Sequence, residues 1–133
     1  MSTISVVIIT YKRHEEVIEA INSIKDDPNY HEIVIIDNDP SSDLESNLPP
    51  IMKLKYFLQS ENHGVAGGRN KGIQASTGDI MVFLDDDAIF AGKNVLATVQ
   101  NYFEKKPLLS CLAFRIENYY SRKIVPMEFP HPN

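Results

Sequence analysis

An α/β fold with a mainly parallel sheet is predicted by two features of the sequence. Several β-branched runs are too continuous for strands with one wet face, and the segments between them carry apolar residues at helical spacing. A third feature, the length of 133 residues, allows one domain with a real core and is too short for two ordinary ones.

Ile4 to Ile9 (Ile-Ser-Val-Val-Ile-Ile) has the composition of a strand covered on both faces. Thr10-Tyr11-Lys12-Arg13 breaks it. From Glu15 the spacing changes: Val17, Ile18, Ile21 and Ile24 share a helical face opposite Glu15, Glu16, Glu19 and Lys25, and Asp26-Asp27-Pro28-Asn29 ends the helix with turn chemistry. Glu32 to Ile36 is a second buried strand, stopped by Asp37-Asn38-Asp39-Pro40. Ser41 to Pro50 is polar and proline-punctuated, with room for one helical turn. Leu54 to Leu58 reads as a third strand. A helix starts within the glycine-rich segment Gly64 to Gly72 and stops near Gly78. Ile80 to Leu84 is a fourth buried strand, cut off by Asp85-Asp86-Asp87. Val95, Leu96, Val99 and Phe103 place a helix over Asn94 to Lys105, and Leu108 to Phe114 is the expected fifth strand. Beyond Arg115 the pattern fades into a tail with Pro126, Pro130 and Pro132, a segment that reads as lacking its packing partner.

The charge is −5, from 13 Lys and Arg against 18 Asp and Glu, which argues against a nucleic-acid groove. The single cysteine, Cys111, excludes an internal disulfide and is expected to be a buried, inert thiol within its apolar run. No stretch approaches a membrane span, and the N-terminus lacks a signal-peptide pattern, so a cytoplasmic location is expected. His14, His31, His63 and His131 show no metal-ligand spacing and are assigned to surface or loop positions, His63 being nearest the expected site.

In an open parallel sheet, ligands bind beyond the carboxyl ends of the strands. Three strands end in polar residues: Thr10-Tyr11, Asp37 and Asp85-Asp86-Asp87. If the strands are parallel, all three clusters share one edge. Three successive aspartates are costly to gather, because like charges raise one another's pKa values. A hard divalent cation removes that cost. The glycine-rich segment matches neither a dinucleotide fingerprint nor a P-loop. It offers close backbone approach, helix N-terminal amides and the cation of Arg69, all suited to phosphate.

The ordered motifs Val-Val-Ile-Ile-Thr-Tyr-Lys-Arg (6–13), Ile-Val-Ile-Ile-Asp-Asn (33–38), Asn-His-Gly-Val-Ala-Gly-Gly-Arg-Asn-Lys-Gly (62–72) and Gly-Asp-Ile-Met-Val-Phe-Leu-Asp-Asp-Asp (78–87) strongly resemble the nucleotide-sugar-binding half of family 2 glycosyltransferases of the Rossmann-like GT-A fold. The resemblance covers residues 4 to 115. It implies an inverting, metal-dependent transfer of a sugar to a saccharide or lipid-linked acceptor, in polysaccharide or glycolipid assembly. Thr10 and Tyr11 would line the nucleoside pocket, with Arg13 counted beside them. Asp37 would accept a hydrogen bond from the base, favouring a UDP- or dTDP-sugar. Arg69 would approach the diphosphate or shape the pocket. Asp85 and Asp87 would be the outer members of the Asp-x-Asp motif, Asp85 facing the ribose and sharing with Asp87 the Mn²⁺ or Mg²⁺ ion, with Asp86 also in the nucleotide-sugar site.

The chain departs from that family in one respect. Inversion needs a general base to deprotonate the acceptor hydroxyl, and only Glu117 and Glu128 follow Phe114 as carboxylates, neither in recognisable context. The expectation is therefore a donor-binding unit over 1–115 and, over 116–133, the start of an acceptor-binding part that is missing. An exposed rim of that kind favours self-association, and peripheral contact with the inner face of a membrane stays open. The competing readings are a nucleotide-binding module without turnover, a sugar-1-phosphate nucleotidyltransferase and a phospho-acceptor signalling domain. The nucleotidyltransferase would place its glycine-rich loop after the first strand, where this chain has Thr10-Tyr11-Lys12-Arg13.

Overall fold

The computed structural model describes residues 1–124. The β-branched runs form strands β1 (Ile4–Thr10) and β2 (Glu32–Asp37), with β3 (Leu54–Leu58) and β4 (Ile80–Phe83) completing the sheet. All four pair in parallel in the order β3-β2-β1-β4, with Thr10 in register with Asp37. Helices α1 (His14–Ile24), α2 (Gly64–Ala75) and α3 (Val95–Lys105) join them, and the polar Ser41–Pro50 segment holds one 3₁₀ turn, Leu44–Asn47.

The two faces of the sheet are covered differently. On one, α1 contributes Val17, Ala20, Ile21 and Ile24, and α3 contributes Leu96 and Val99, to a core with Ile4, Val6, Ile8, Ile33 and Ile35. Each such Val, Leu or Ile side chain contributes about 1.5–3 kcal/mol by burial. The other face carries the smaller cluster of Val7, Val34 and Ile36 under α2. There α2 presents two glycines at i, i+4. A Cβ at Gly68 would stand 2.7 Å from Ile9, and one at Gly72 only 2.3 Å from Val7, so the helix lies directly on the sheet.

At the amino ends of the strands a polar cluster forms around the buried Ser5 and Glu32. Glu32 Oε1 accepts from the Ser5 hydroxyl (2.6 Å), the Thr77 backbone N–H (2.6 Å) and the Thr77 hydroxyl (3.0 Å), while Lys55 Nζ lies 2.5 Å from Oε2. Burial alone would raise this carboxyl; the Lys55 ammonium and the Ser5 and Thr77 donors overcome it and hold it down at about 2.

Three expectations are corrected. Leu108 to Phe114 forms no strand: among the described residues nothing pairs with it, and a strand without a ladder leaves its backbone to water. Leu112 alone of this run packs on the core, and Leu108 is almost fully exposed. Cys111 is exposed for the same reason. Strand β4 is an edge strand buried on one face only, with Met81 and Phe83 each 38% exposed. No helix among the described residues is long and apolar enough to cross a membrane. Glu128 and His131 lie outside the described residues.

Candidate active site

The strand order reverses beside β1, which has β2 on one side and β4 on the other. At such a switch point the connections leave in opposite directions and open a crevice at the carboxyl edge. A cavity of about 610 Å³ lies there, lined by Thr10, Tyr11 and Arg13 at and beyond the end of β1 and by Phe83 to Asp87 at and beyond the end of β4. Asn38, Asn62, Gly64, Val65 and Arg69 close it from the β2 and α2 side. Seven residues expected to form the site (Thr10, Tyr11, Arg13, Arg69, Asp85, Asp86 and Asp87) thus line one space.

The aspartate triplet is held by partners from three elements. Thr10, buried at the end of β1, donates its hydroxyl to Asp86 Oδ2 at 2.9 Å. Arg13 reaches back from the entrance of α1: Nη1 lies 2.5 Å from Asp87 Oδ2 and 3.5 Å from Asp86 Oδ1. Lys12 makes that return possible by adopting a left-handed φ of 56°, a conformation strained for a side-chain-bearing residue. Arg69 Nη2 lies 3.5 Å from Asp85 Oδ1 and its guanidinium stacks over Phe83. Asp86 is mostly covered, and burial pushes its carboxyl up although Thr10 and Arg13 pull the other way. Asp85 and Asp87 keep most of their side-chain surface open, at 69% and 56%.

Asp37 is not brought to this cavity. Its side chain shares the parity of Ile33 and Ile35 and lies on the α1 side, where Oδ2 accepts from the Tyr56 hydroxyl at 2.8 Å and Oδ1 from the Asp39 N–H at 3.0 Å. The next residue, Asn38, faces the cavity instead. Its Nδ2 donates to the Gly64 carbonyl at 3.0 Å, which fixes the amide, and its buried Oδ1 has no partner. Gly64 opens α2 at φ +69°, a conformation that favours glycine. Sequence reasoning missed Asn38 as well as Asn62, Val65 and Phe83; for Asn38 the signal was present in the Asp37-Asn38 pair. His63 precedes α2 and does not line the cavity.

The donor set suits a hard divalent cation, since Asp85 and Asp87 offer carboxylate oxygens on one turn. Among the described residues no three acidic, histidine or cysteine groups gather into a cage of their own. An ion would therefore be completed by oxygens from outside the chain, as Mg²⁺ is when substrate phosphates supply part of its shell.

The parallel sheet with its crevice at the switch point has the GT-A fold. The sequence matches glycosyl transferase family 2 over residues 5–132, and the chain belongs to that family. An uncharacterized protein of Haemophilus influenzae is 37% identical over 98% of this chain and 75% of its own length. The GalNAc(5)-diNAcBac-PP-undecaprenol beta-1,3-glucosyltransferase of Campylobacter jejuni is 34% identical over 65% of this chain and 30% of its own length. Among solved structures, the mannosyltransferase PcManGT of Pyrobaculum calidifontis, in complex with GDP-Man and Mn²⁺, superposes with a TM-score of 0.70 at 19% identity. That match covers 90% of this chain and 37% of the mannosyltransferase. The chain thus spans most of the Haemophilus protein and under two fifths of the other two.

Proposed function

We propose that the cavity binds the nucleoside diphosphate of a sugar donor and that the chain is the donor-binding part of an inverting, metal-dependent glycosyltransferase. The observation that carries this reading is the convergence of Asp85, Asp87, Arg69 and Arg13 on one crevice at the switch point. Breaking the sugar–phosphate bond leaves extra negative charge on the diphosphate. A Mn²⁺ or Mg²⁺ ion held by Asp87 and Asp85 would supply Lewis-acid stabilisation of that charge. Arg69 and the first-turn amides of α2 stand ready for the phosphate oxygens. Tyr11, 43% exposed at the cavity rim, offers a flat face to the nucleoside.

Base reading passes from Asp37 to Asn38. With Nδ2 engaged by Gly64, the buried, unpartnered Oδ1 can only accept, so a base that reached it as the pocket adjusts would have to bring a ring N–H. Uracil and thymine bring one at N3, and guanine brings one at N1; cytosine and adenine bring lone pairs there. UDP- and dTDP-sugars are the donors proposed. Residues 1–115 form the donor unit, and 116–133 begin the acceptor-binding part that would supply the base. The undecaprenol-linked acceptor in the name of the Campylobacter relative supports a lipid-linked saccharide acceptor, met at the inner face of a membrane.

The test is calorimetric titration of UDP, dTDP, GDP and CDP into the folded chain with Mn²⁺, then with EDTA. Metal-dependent binding of UDP or dTDP and none of CDP is expected. Asn38→Ala should weaken UDP about tenfold and leave free pyrophosphate unchanged. Absence of nucleotide binding by the folded chain, or equal binding of CDP, would overturn the reading.

A further inference from the structure

Arg13 is the shortest contact of the aspartate triplet, and it sits on the exposed member that the donor reading gives to the metal ion. Nη1 lies 2.5 Å from Asp87 Oδ2, whereas Arg69 stands 3.5 Å from Asp85. Asp86 already has the Thr10 hydroxyl, so the principal carboxylate Arg13 neutralises is Asp87. Resting on the donor-site reading above, we propose that Arg13 is a resident counter-cation that competes with the divalent ion for Asp87 and yields when a nucleoside diphosphate arrives. Metal and nucleotide are then taken up together rather than metal first.

Three like charges on one turn repel, and in the nucleotide-free protein the two guanidiniums relieve that repulsion. A divalent ion approaching alone must displace Arg13 from Asp87, and the guanidinium gains no new partner. A diphosphate changes this balance, because its oxygens give Arg13 somewhere else to go within the same cavity. The side chain can make that move: it is 48% exposed and on a flexible stem. The coupling is reciprocal, so each ligand must strengthen the other by the same factor. A surface ion pair with no such role would leave metal binding indifferent to residue 13.

The test measures Mn²⁺ binding by loss of the free-ion electron paramagnetic resonance signal, in wild type, Arg13→Gln and Arg13→Lys, each with and without UDP. Without UDP, Arg13→Gln should bind Mn²⁺ about two- to fivefold more tightly than wild type, the range set by an exposed ion pair. Arg13→Lys, which keeps the charge, should stay near wild type. With UDP the advantage of Arg13→Gln should vanish, and the factor by which UDP strengthens Mn²⁺ binding should shrink. Equal or weaker Mn²⁺ binding by Arg13→Gln without UDP would overturn the proposal while leaving the donor site intact, provided wild type still binds Mn²⁺ with UDP. If wild type binds no Mn²⁺ even with UDP, the donor-site reading falls and the proposal with it.

Discussion

The two ends of the same sheet each gather carboxylate, hydroxyl and cationic groups, and they are built in opposite ways. At the amino edge Glu32 is 2% exposed, takes three short hydrogen bonds on one oxygen and faces Lys55 with the other. At the carboxyl edge Asp85 and Asp87 stand in solvent, each facing a single arginine. A buried charge that is hydrogen-bonded and ion-paired within the chain has little left to offer a ligand and holds the fold together. An open charge held by one flexible cation can exchange it. The same residue types serve as clasp and as site, and the difference lies in burial and in how many partners are fixed by the backbone.

Removing the clasp is expected to have the largest effect. Glu32→Ala would leave the Ser5 hydroxyl and the Thr77 N–H without an acceptor and should cost about 2–4 kcal/mol, read as a lower urea midpoint. Nucleotide affinity of the fraction that remains folded should be unchanged, because the cluster lies at the opposite edge from the cavity. Asp87→Asn should do the reverse. Metal-dependent UDP binding should fall at least about tenfold, while stability moves by less than about 0.5 kcal/mol, as befits an exposed side chain. A loss of stability larger than that would blur the contrast between the two edges.

Acidification separates them further by a smaller, graded effect. The Glu32 carboxyl is held at about 2 in the folded protein, against an ordinary value of 4.5. Its contribution is therefore fully present above pH 4.5 and is lost as the pH falls from there towards 2. Urea midpoints measured between pH 6 and pH 2.5 should decline over that window in wild type, and the decline should be shallower in Glu32→Gln. Parallel slopes in the two proteins would show that other carboxylates dominate acid unfolding.

Much of this was legible in the sequence. The runs Ile4–Ile9 and Ile33–Ile36 could only be strands buried on both faces, and parallel pairing then put Thr10 and Asp85–Asp87 on one edge. The same continuity hid the choice between Asp37 and Asn38. A strand that alternates polar and apolar residues declares which face each side chain takes, but Ile-Val-Ile-Ile does not, and one residue of parity decides which neighbour reaches the cavity. Leu108 to Phe114 misled for a related reason: an apolar, strand-like composition needs a pairing neighbour, which composition does not specify. The clasp was unreadable because Ser5, Glu32, Lys55 and Thr77 are joined only by the strand register.

The glycines at 68 and 72 carry a consequence for the whole crevice. With hydrogens alone between α2 and the side chains of Ile9 and Val7, that helix has no shim beneath it. The eight residue steps from Gly64 to Gly72 span about 12 Å of helix axis, and a helix tilts as a rigid beam. A methyl group inserted at residue 72 would therefore act at one end of a lever whose far end, at Gly64 and Val65, walls the cavity. The width of the cavity is thus gauged at Gly72, a residue that does not line it.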